Sequence, residues 1–378
     1  MKRIKDFLTI ILFLIVILGF SVAFAITPDQ DVSKSERRKL LKAPDISVKA
    51  VMSKSFSEEL EAYFLDQFPK RDWFRKINDN IRITVLRQTD VNGLWTNSGS
   101  IFKYEGDLKP DQVKYGVGVM NRVIKTNLSG MNVYYSIIPD KNYYIKGMGH
   151  HPVFDYDSLL KIMDENVKGA EYIDIFPELD LTDYYRTDTH WSQDKIFPVV
   201  EKLAEAMGMK ENLTPAKDYR LNELYPFYGV YWGQVALGEK PDTLRFLTSP
   251  YTETAKVSGI DPEVLKKDFG VTYDLSDKVY SLDRFNGMDG YDVYLSGAQP
   301  IVTIECETAK SDRELVIFRD SYGSSIAPLF TGAYKKITLV DLRYIPSMLL
   351  GQFVEFGENQ DALFLFSTSL LNSSMLMR

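Results

Sequence analysis

The sequence predicts an α/β protein: a three-layer, mostly parallel sheet with helices on both faces, preceded by an apolar helix that anchors or exports the chain. Two observations carry this prediction. Apolar strand-like runs alternate with helix-like segments along most of the chain, as in parallel sheets covered by helices. An uncharged run from Phe7 to Ile26 would form a helix about 30 Å long. The 378 residues suffice for one large domain or two modest ones.

The first 26 residues read as a signal peptide or a membrane anchor. Lys2, Arg3 and Lys5 precede the apolar run, so the N-terminus is expected in the cytoplasm. Ala23-Phe24-Ala25 resembles a signal-peptidase site. The run is longer than a typical signal core, which favours the anchor. Either way the remaining chain lies outside the cytoplasm, in a bacterial cell envelope or secreted from it.

Residues 27–55 are predicted to be a stalk or linker, because they combine prolines with scattered charges. A domain spanning 56–378 follows. Its first part carries apolar residues near helical spacing from Phe56 to Val85. Pro69 should divide this part into two helices.

The elements that follow are predicted from pattern in chain order. A short hairpin covers 93–95 and 100–102. Helices cover 110–127, 158–167, 194–207 and 325–331, and strands cover 133–138, 172–175, 301–306, 315–318, 336–340 and 362–366. Between 214 and 308 the sequence becomes rich in Gly, Tyr, Pro and Asp, which predicts an inserted lobe over the core.

Composition excludes some functions. Charged residues make up 26% and the net charge is −7 without a long basic run, so no nucleic-acid partner is expected. The 13% aromatic content suits either a carbohydrate surface or ordinary core packing, and packing is the commoner reason. The one cysteine, Cys306, is expected to be a buried, inert thiol. No paired-histidine metal motif occurs, and neither a metal nor another cofactor is predicted.

A serine follows the strand at 315–318 in the segment Arg319-Asp320-Ser321-Tyr322-Gly323. Ligands bind beyond the carboxyl ends of strands in open parallel sheets, so Ser321 is a candidate nucleophile. Backbone N–H groups of its turn could stabilise an oxyanion. The alternative is that Ser321 only caps the next helix.

A base for this serine is found in Thr187-Asp188-Thr189-His190-Trp191-Ser192. Histidine can activate a serine near neutral pH. Asp188 and His190 point the same way if the segment is extended, so Asp188 could orient the imidazole. The alternative is a structural loop before a helix capped by Ser192. The other two histidines, His150 and His151, lie in a Gly-rich loop.

Together these segments resemble the alginate O-acetylation proteins and the related DHHW family, both of the SGNH hydrolase-like class. Further similarity lies in Ile138-Pro139-Asp140-Lys141-Asn142 and in Val340-Asp341-Leu342-Arg343-Tyr344. The resemblance runs from about residue 56 onward. The acid–base block precedes the serine block, as in the circularly permuted alginate-type relatives. Two positions depart from the pattern: Thr189 stands at the first histidine of the DHHW name, and Arg319 replaces a glycine.

The resemblance implies an O-acetyltransferase or acetylesterase acting on an exported polysaccharide through an acyl-serine. Ser321, His190 and Asp188 would be catalytic. Arg343, Tyr322, Asn142 and Lys141 would bind substrate or the oxyanion, although Arg343 could equally be a structural partner of Asp320 or Asp341. The resemblance also implies a membrane-bound O-acyltransferase that supplies acetyl groups. The alternative function is a non-catalytic polysaccharide-binding or scaffold component of an envelope synthesis complex.

Overall fold

A computed structural model describes residues 2–33, 35–52, 54–145, 151–235, 240–269 and 274–378. Its strands are β1 (Val32–Ser33), β2 (Arg38–Lys39), β3 (Leu94–Asn97), β4 (Ser100–Lys103), β5 (Asn132–Ile138), β6 (Glu171–Tyr172), β7 (Arg220–Phe227), β8 (Asp242–Thr248), β9 (Lys256–Gly259), β10 (Ile301–Glu305), β11 (Glu314–Arg319), β12 (Lys336–Val340) and β13 (Gln360–Ser367). Its α-helices are α1 (Lys2–Ile26), α2 (Val48–Val51), α3 (Lys54–Asp66), α4 (Arg71–Asn80), α5 (Pro110–Asn127), α6 (Tyr156–Asn166), α7 (Phe197–Ala206), α8 (Val230–Gln234), α9 (Pro250–Thr254), α10 (Pro262–Val264), α11 (Tyr322–Ile326) and α12 (Thr368–Leu371).

Seven strands form the central sheet, in the order β6-β5-β13-β11-β12-β10-β9. The pairs from β6 to β12 are parallel, whereas β10 pairs antiparallel with both β12 and β9. The parallel strands are rich in β-branched and aromatic residues and buried on both faces, as expected of a sheet covered on two sides. The predicted α/β fold class is therefore confirmed.

The alternation of side chains along each strand divides the core into two layers. On β11, Leu315 and Ile317 pack in the layer that contains α7. Val316 and Phe318 pack in the opposite layer, which contains α5 and α6. A one-residue slip in register would exchange these faces. The sheet is thus held in place by helices on both sides.

The stretch 214–308, predicted as an inserted lobe, is mixed in the structure. β7 and β8 pair with each other outside the central sheet. β9 and β10, from the same stretch, form the edge of the central sheet. The described part of this stretch therefore contributes both a separate hairpin and two strands of the main core.

The N-terminal part of the chain consists of an exposed helix, α1, and a hairpin that packs closely on the domain. Helix α1 is long and apolar enough to cross a membrane, with a mean hydropathy of 2.9 over an 18-residue window of Arg3–Ile26, and a signal sequence would share these properties. The hairpin of β1 and β2 lies within the predicted stalk. It docks so closely that a Cβ on Gly233 would lie 2.1 Å from the carbonyl oxygen of Ser35. Only glycine permits this approach.

Three parallel strands bring site residues to one edge of the sheet. β11 ends just before Asp320 and Ser321, β5 ends just before Lys141, and β12 ends just before Arg343. These are the carboxyl ends of parallel strands, so the residues that follow them share one rim.

Candidate active site

Ser321 stands at the start of α11, and its hydroxyl does not cap that helix. Its Oγ lies 2.7 Å from Nε2 of His190 instead. The side chain is half-buried, so it can be reached from solvent. The geometry thus favours a reactive hydroxyl over a helix cap at this position.

His190 is held by Asp188 in a tight loop. Nδ1 of His190 lies 2.6 Å from Oδ1 of Asp188, and the backbone N–H of His190 donates to the same oxygen at 2.9 Å. The segment is not extended as predicted: residues 186–190 form bends, and an antiparallel bridge between Tyr184 and Trp191 closes the loop. An ionised Asp188 fixes the proton on Nδ1, which leaves Nε2 to accept the proton of Ser321.

The second oxygen of Asp188 has partners from two distant segments. Oδ2 accepts from the backbone N–H of Val230 at 2.6 Å and from Nη1 of Arg37 at 3.2 Å. Val230 can approach because its neighbour Gly229 has no side chain: a Cβ there would lie 2.2 Å from the Thr187 carbonyl oxygen.

These partners decide the charge of Asp188. The carboxylate is fully buried, and burial alone would raise its pKa. The imidazole of His190, the guanidinium of Arg37 and the backbone N–H groups outweigh burial and hold the pKa of Asp188 well below its usual range. Asp188 is therefore ionised at neutral pH.

Lys141 fixes the loop from beneath. Its buried Nζ donates to the carbonyl oxygens of Tyr185, Arg186 and Asp188 at 3.0, 3.1 and 2.9 Å. Burial lowers the pKa of Lys141 to about 7, although Asp188 and Asp242 act in the opposite direction. Three carbonyl acceptors use all three N–H groups of an ammonium ion. Lys141 therefore shapes the acid–base loop, and its donors are taken up by that loop.

Aromatic side chains restrain the imidazole. The ring of Tyr291 stacks on His190 with centroids 3.9 Å apart and planes at 12°. The hydroxyl of Tyr322 donates to the Thr189 carbonyl at 2.7 Å. Trp191 Nε1 and the Tyr291 hydroxyl both donate to Oγ of Ser325 at 2.8 Å. The ring of His190 is thus held in one orientation.

The structure gives structural partners to two other predicted binding residues. The amide nitrogen of Asn142 donates to the Lys103 carbonyl at 2.9 Å and to Oδ1 of Asp140 at 2.6 Å, so both of its N–H groups are used. Arg343 forms a two-pronged ion pair with Asp341, at 2.9 and 2.6 Å. This is the structural alternative that the sequence left open. Tyr322 holds the His190 loop, and its own backbone N–H donates to Asp320 at 3.1 Å.

Arg319, which stands where the resembled families have a glycine, leaves the Ser321 hydroxyl hydrogen-bonded to His190. Its side chain is buried and packs against Gly323, where a Cβ would lie 2.5 Å from the Arg319 Cβ. Nη1 lies 3.5 Å from Oδ2 of Asp341. Arg319 therefore lies under the turn.

Sequence reasoning missed Arg37, Val230, Tyr291 and Asp292. Burial of Asp292 raises its pKa to about 6 and outweighs the nearby guanidinium groups of Arg37 and Arg284, which act in the opposite direction. The one available signal was the charge cluster around Arg37. Of the other histidines, His151 stacks on Trp95 with centroids 3.7 Å apart, and His150 lies outside the described residues. Cys306 is buried, as predicted.

No family model matches the chain, and no characterised protein matches it by sequence. Several solved structures are similar to it in fold. A DHHW family protein from Eubacterium siraeum is 19% identical with a TM-score of 0.58, covering 75% of this chain and 96% of its own. PatB1 of Bacillus cereus, solved with a sulfonyl adduct, is 17% identical with a TM-score of 0.59, covering 76% and 99%. The O-acetyltransferase domain of Pseudomonas putida AlgJ is 13% identical with a TM-score of 0.45, covering 74% and 92%. The chain has the fold of the DHHW family protein and of PatB1, and the resemblance that its motifs predicted is confirmed at the level of the fold.

Proposed function

We propose that the chain is an extracytoplasmic O-acetyltransferase or acetylesterase that modifies a polysaccharide through an acyl-serine. The observation that carries the proposal is the hydrogen-bonded line from Asp188 through His190 to Ser321, with links of 2.6 and 2.7 Å. A serine, a base and a buried ionised carboxylate in this order match the roles of acyl-transfer triads.

The proposed reaction has two steps, acylation of Ser321 and transfer of the acetyl group from it. His190 Nε2 takes the proton of Ser321 as Oγ attacks the carbonyl carbon of an acetyl ester. The imidazolium then returns the proton to the leaving oxygen, and the acetyl group stays on Ser321. In the second step His190 takes a proton from a sugar hydroxyl or from water, whose oxygen attacks the acyl carbon; the bond to Oγ of Ser321 breaks, and the imidazolium returns the proton to Oγ. A sugar acceptor gives transfer and water gives hydrolysis.

The resemblance supports a membrane setting for this reaction. We propose that residues 1–26 anchor the chain, that 27–55 connect the anchor to the domain, and that 56–378 form the catalytic domain with its lobe. A membrane-bound O-acyltransferase would supply the acetyl group, and a cell-envelope or exported polysaccharide would receive it. An uncleaved α1 would keep Ser321 near that supplier.

The test uses the full chain in detergent, with p-nitrophenyl acetate as donor and phenylmethylsulfonyl fluoride as probe. The sulfonyl adduct carried by PatB1 makes this class of reagent the natural choice. We expect turnover, and one sulfonyl group on Ser321 by peptide mass spectrometry. Ser321→Ala should lose both, whereas the matched control Ser324→Ala, in the same short helix, should keep both. Turnover and labelling that persist in Ser321→Ala would refute the proposal.

A second candidate is a polysaccharide-binding or scaffold protein without chemistry. A cleft of about 770 Å³ beside the β1–β2 hairpin favours it, because Tyr228, Trp232 and Met288 line this cleft together with polar groups. Aromatic faces and polar rims suit sugars. Oligosaccharide binding by the wild-type protein without any turnover or labelling would support this candidate.

A further inference from the structure

Helix α4 turns its charged side toward the domain and its apolar side outward. Arg71 and Arg75 both pair with Glu36 of the hairpin, and Arg75 also donates to the Gly233 carbonyl at 2.7 Å. Asp79 is buried. A helix on the surface of a water-soluble domain has the opposite arrangement, with its apolar stripe on the core.

The outward side of this helix is a continuous apolar stripe. Trp73, Ile77, Ile81 and Val85 recur every four residues, through α4 and the π-helical turn Ile81–Val85 that continues it. Residues at this spacing lie on one face. Their exposed fractions are 57%, 37%, 45% and 69%. Within the described residues, nothing covers this stripe.

The stripe lies beside the outer end of α1. Phe20 stacks on Phe68 with ring centroids 5.2 Å apart and meets Phe74 of α4 at 5.6 Å. Phe24 meets Phe64 of α3 at 5.0 Å. At 1.5 Å per residue, Phe20 and Phe24 lie about 9 and about 3 Å below the end of α1.

We propose that this stripe is a second membrane contact, in which α4 lies in the outer interface of the bilayer that α1 crosses. Amphipathic interfacial helices bury their apolar face about 5–10 Å into the boundary between headgroups and acyl chains, the depth at which the aromatic contacts hold α4. Trp73 suits this level, because tryptophan is enriched at membrane interfaces. The exposed Lys70 can meet anionic headgroups.

The contact has a structural consequence that a lone anchor lacks. A single spanning helix leaves the domain free to tilt, whereas two contacts fix its orientation. The same α4 holds the hairpin through Glu36, and that hairpin carries Arg37 to the site. The bilayer surface therefore sets the height and direction of the Ser321 rim. The proposal does not depend on the chemistry proposed for Ser321.

The test measures the depth of α4 in vesicles of phosphatidylcholine and phosphatidylglycerol in equal parts. The full chain, with Cys306→Ala, carries a nitrobenzoxadiazole label at Ile81→Cys or, as the matched control, at Lys76→Cys on the flank of the same helix. We expect a blue-shifted emission at position 81. We also expect quenching there by lipids with a nitroxide near the head of the acyl chain, roughly twofold or more above that at position 76.

Two outcomes would overturn the proposal. Aqueous emission at both positions would mean that α4 stands clear of the lipid. A blue-shifted label at position 81 that lipid nitroxides do not quench would mean that protein covers the stripe, such as a second copy of the chain. Wild-type near-ultraviolet circular dichroism of both labelled proteins establishes that the readout comes from folded chains.

Discussion

Arg37 should tune the pH dependence of the site, because it is a cation bound to the carboxylate that holds His190. Its Nη1 lies 3.2 Å from Asp188, and Asp188 lies 2.6 Å from the imidazole. The guanidinium charge therefore acts on the ring across about 8 Å. At an effective dielectric constant of about 20 to 40 this amounts to about 1–2 kcal/mol.

Arg37→Met removes a charge that opposes protonation of the Asp188–His190 pair. The acidic limb of the rate profile should then move to higher pH by about one unit, since 1.36 kcal/mol corresponds to one pH unit. The rate on the pH-independent plateau should fall by about tenfold at most, because the backbone N–H of Val230 still holds Asp188. The assay follows p-nitrophenyl acetate hydrolysis from about pH 5 to about pH 9.

Two control variants separate charge from general loosening of the hairpin. Arg37→Lys keeps the positive charge, so the acidic limb of its pH–rate profile should stay close to that of the wild-type protein. Arg38→Met removes the neighbouring arginine, which pairs with Asp66 instead, and should leave the limb in place. An unmoved limb in Arg37→Met, or an equal movement in Arg38→Met, would refute the electrostatic role of Arg37.

Three further outcomes are expected. Lys141→Met leaves three backbone carbonyls without their donor, so urea unfolding should show a loss of about 3 kcal/mol or more, with little turnover left; wild-type stability would contradict this. Ser325→Ala removes the acceptor of Trp191 and Tyr291, so stability should fall by about 2–4 kcal/mol while the folded fraction keeps its sulfonyl labelling on Ser321. The pKa of Asp292 rises from 3.8 to about 6 in the folded protein. Between about pH 4 and about pH 6 the carboxyl is therefore ionised in the unfolded chain but still protonated in the folded one, so the free energy of unfolding falls as the pH rises. Asp292→Asn should therefore match wild type at about pH 4 and exceed it by up to about 3 kcal/mol at pH 7, and equal unfolding curves at pH 7 would count against this reading.

The sequence predicted most of the sheet because buried strands have a strong pattern. The runs at β5, β11 and β12 are apolar and β-branched, the run at β13 is rich in Leu and Phe, and their alternating faces pack in two layers. The edge strand β9 was not predicted, because it is short and its side chains are largely exposed. Propensity carries little information for such edges.

The site could be predicted only where side-chain chemistry marks it. Ser321, His190 and Asp188 were found because few residue types activate a serine. The N–H of Val230 is invisible to any reading of side chains, and Arg37 meets Asp188 from 151 positions away. Lys141 was predicted to bind substrate or the oxyanion on the family resemblance of its segment, because charged residues are rarely buried unless paired and its burial could not be read from the sequence. Here three carbonyls of the acid–base loop account for its burial.

The position of β13 bears on how the chain reaches its folded state, and on when it could do so under the proposed export. β13 follows every other strand in the chain, yet it lies inside the sheet, paired with β5 on one side and β11 on the other. Under the proposed export, the two halves of the sheet cannot join until residue 367 has crossed the membrane. A chain in transit should therefore stay unfolded and translocation-competent almost to its last segment, and activity should appear in one late step.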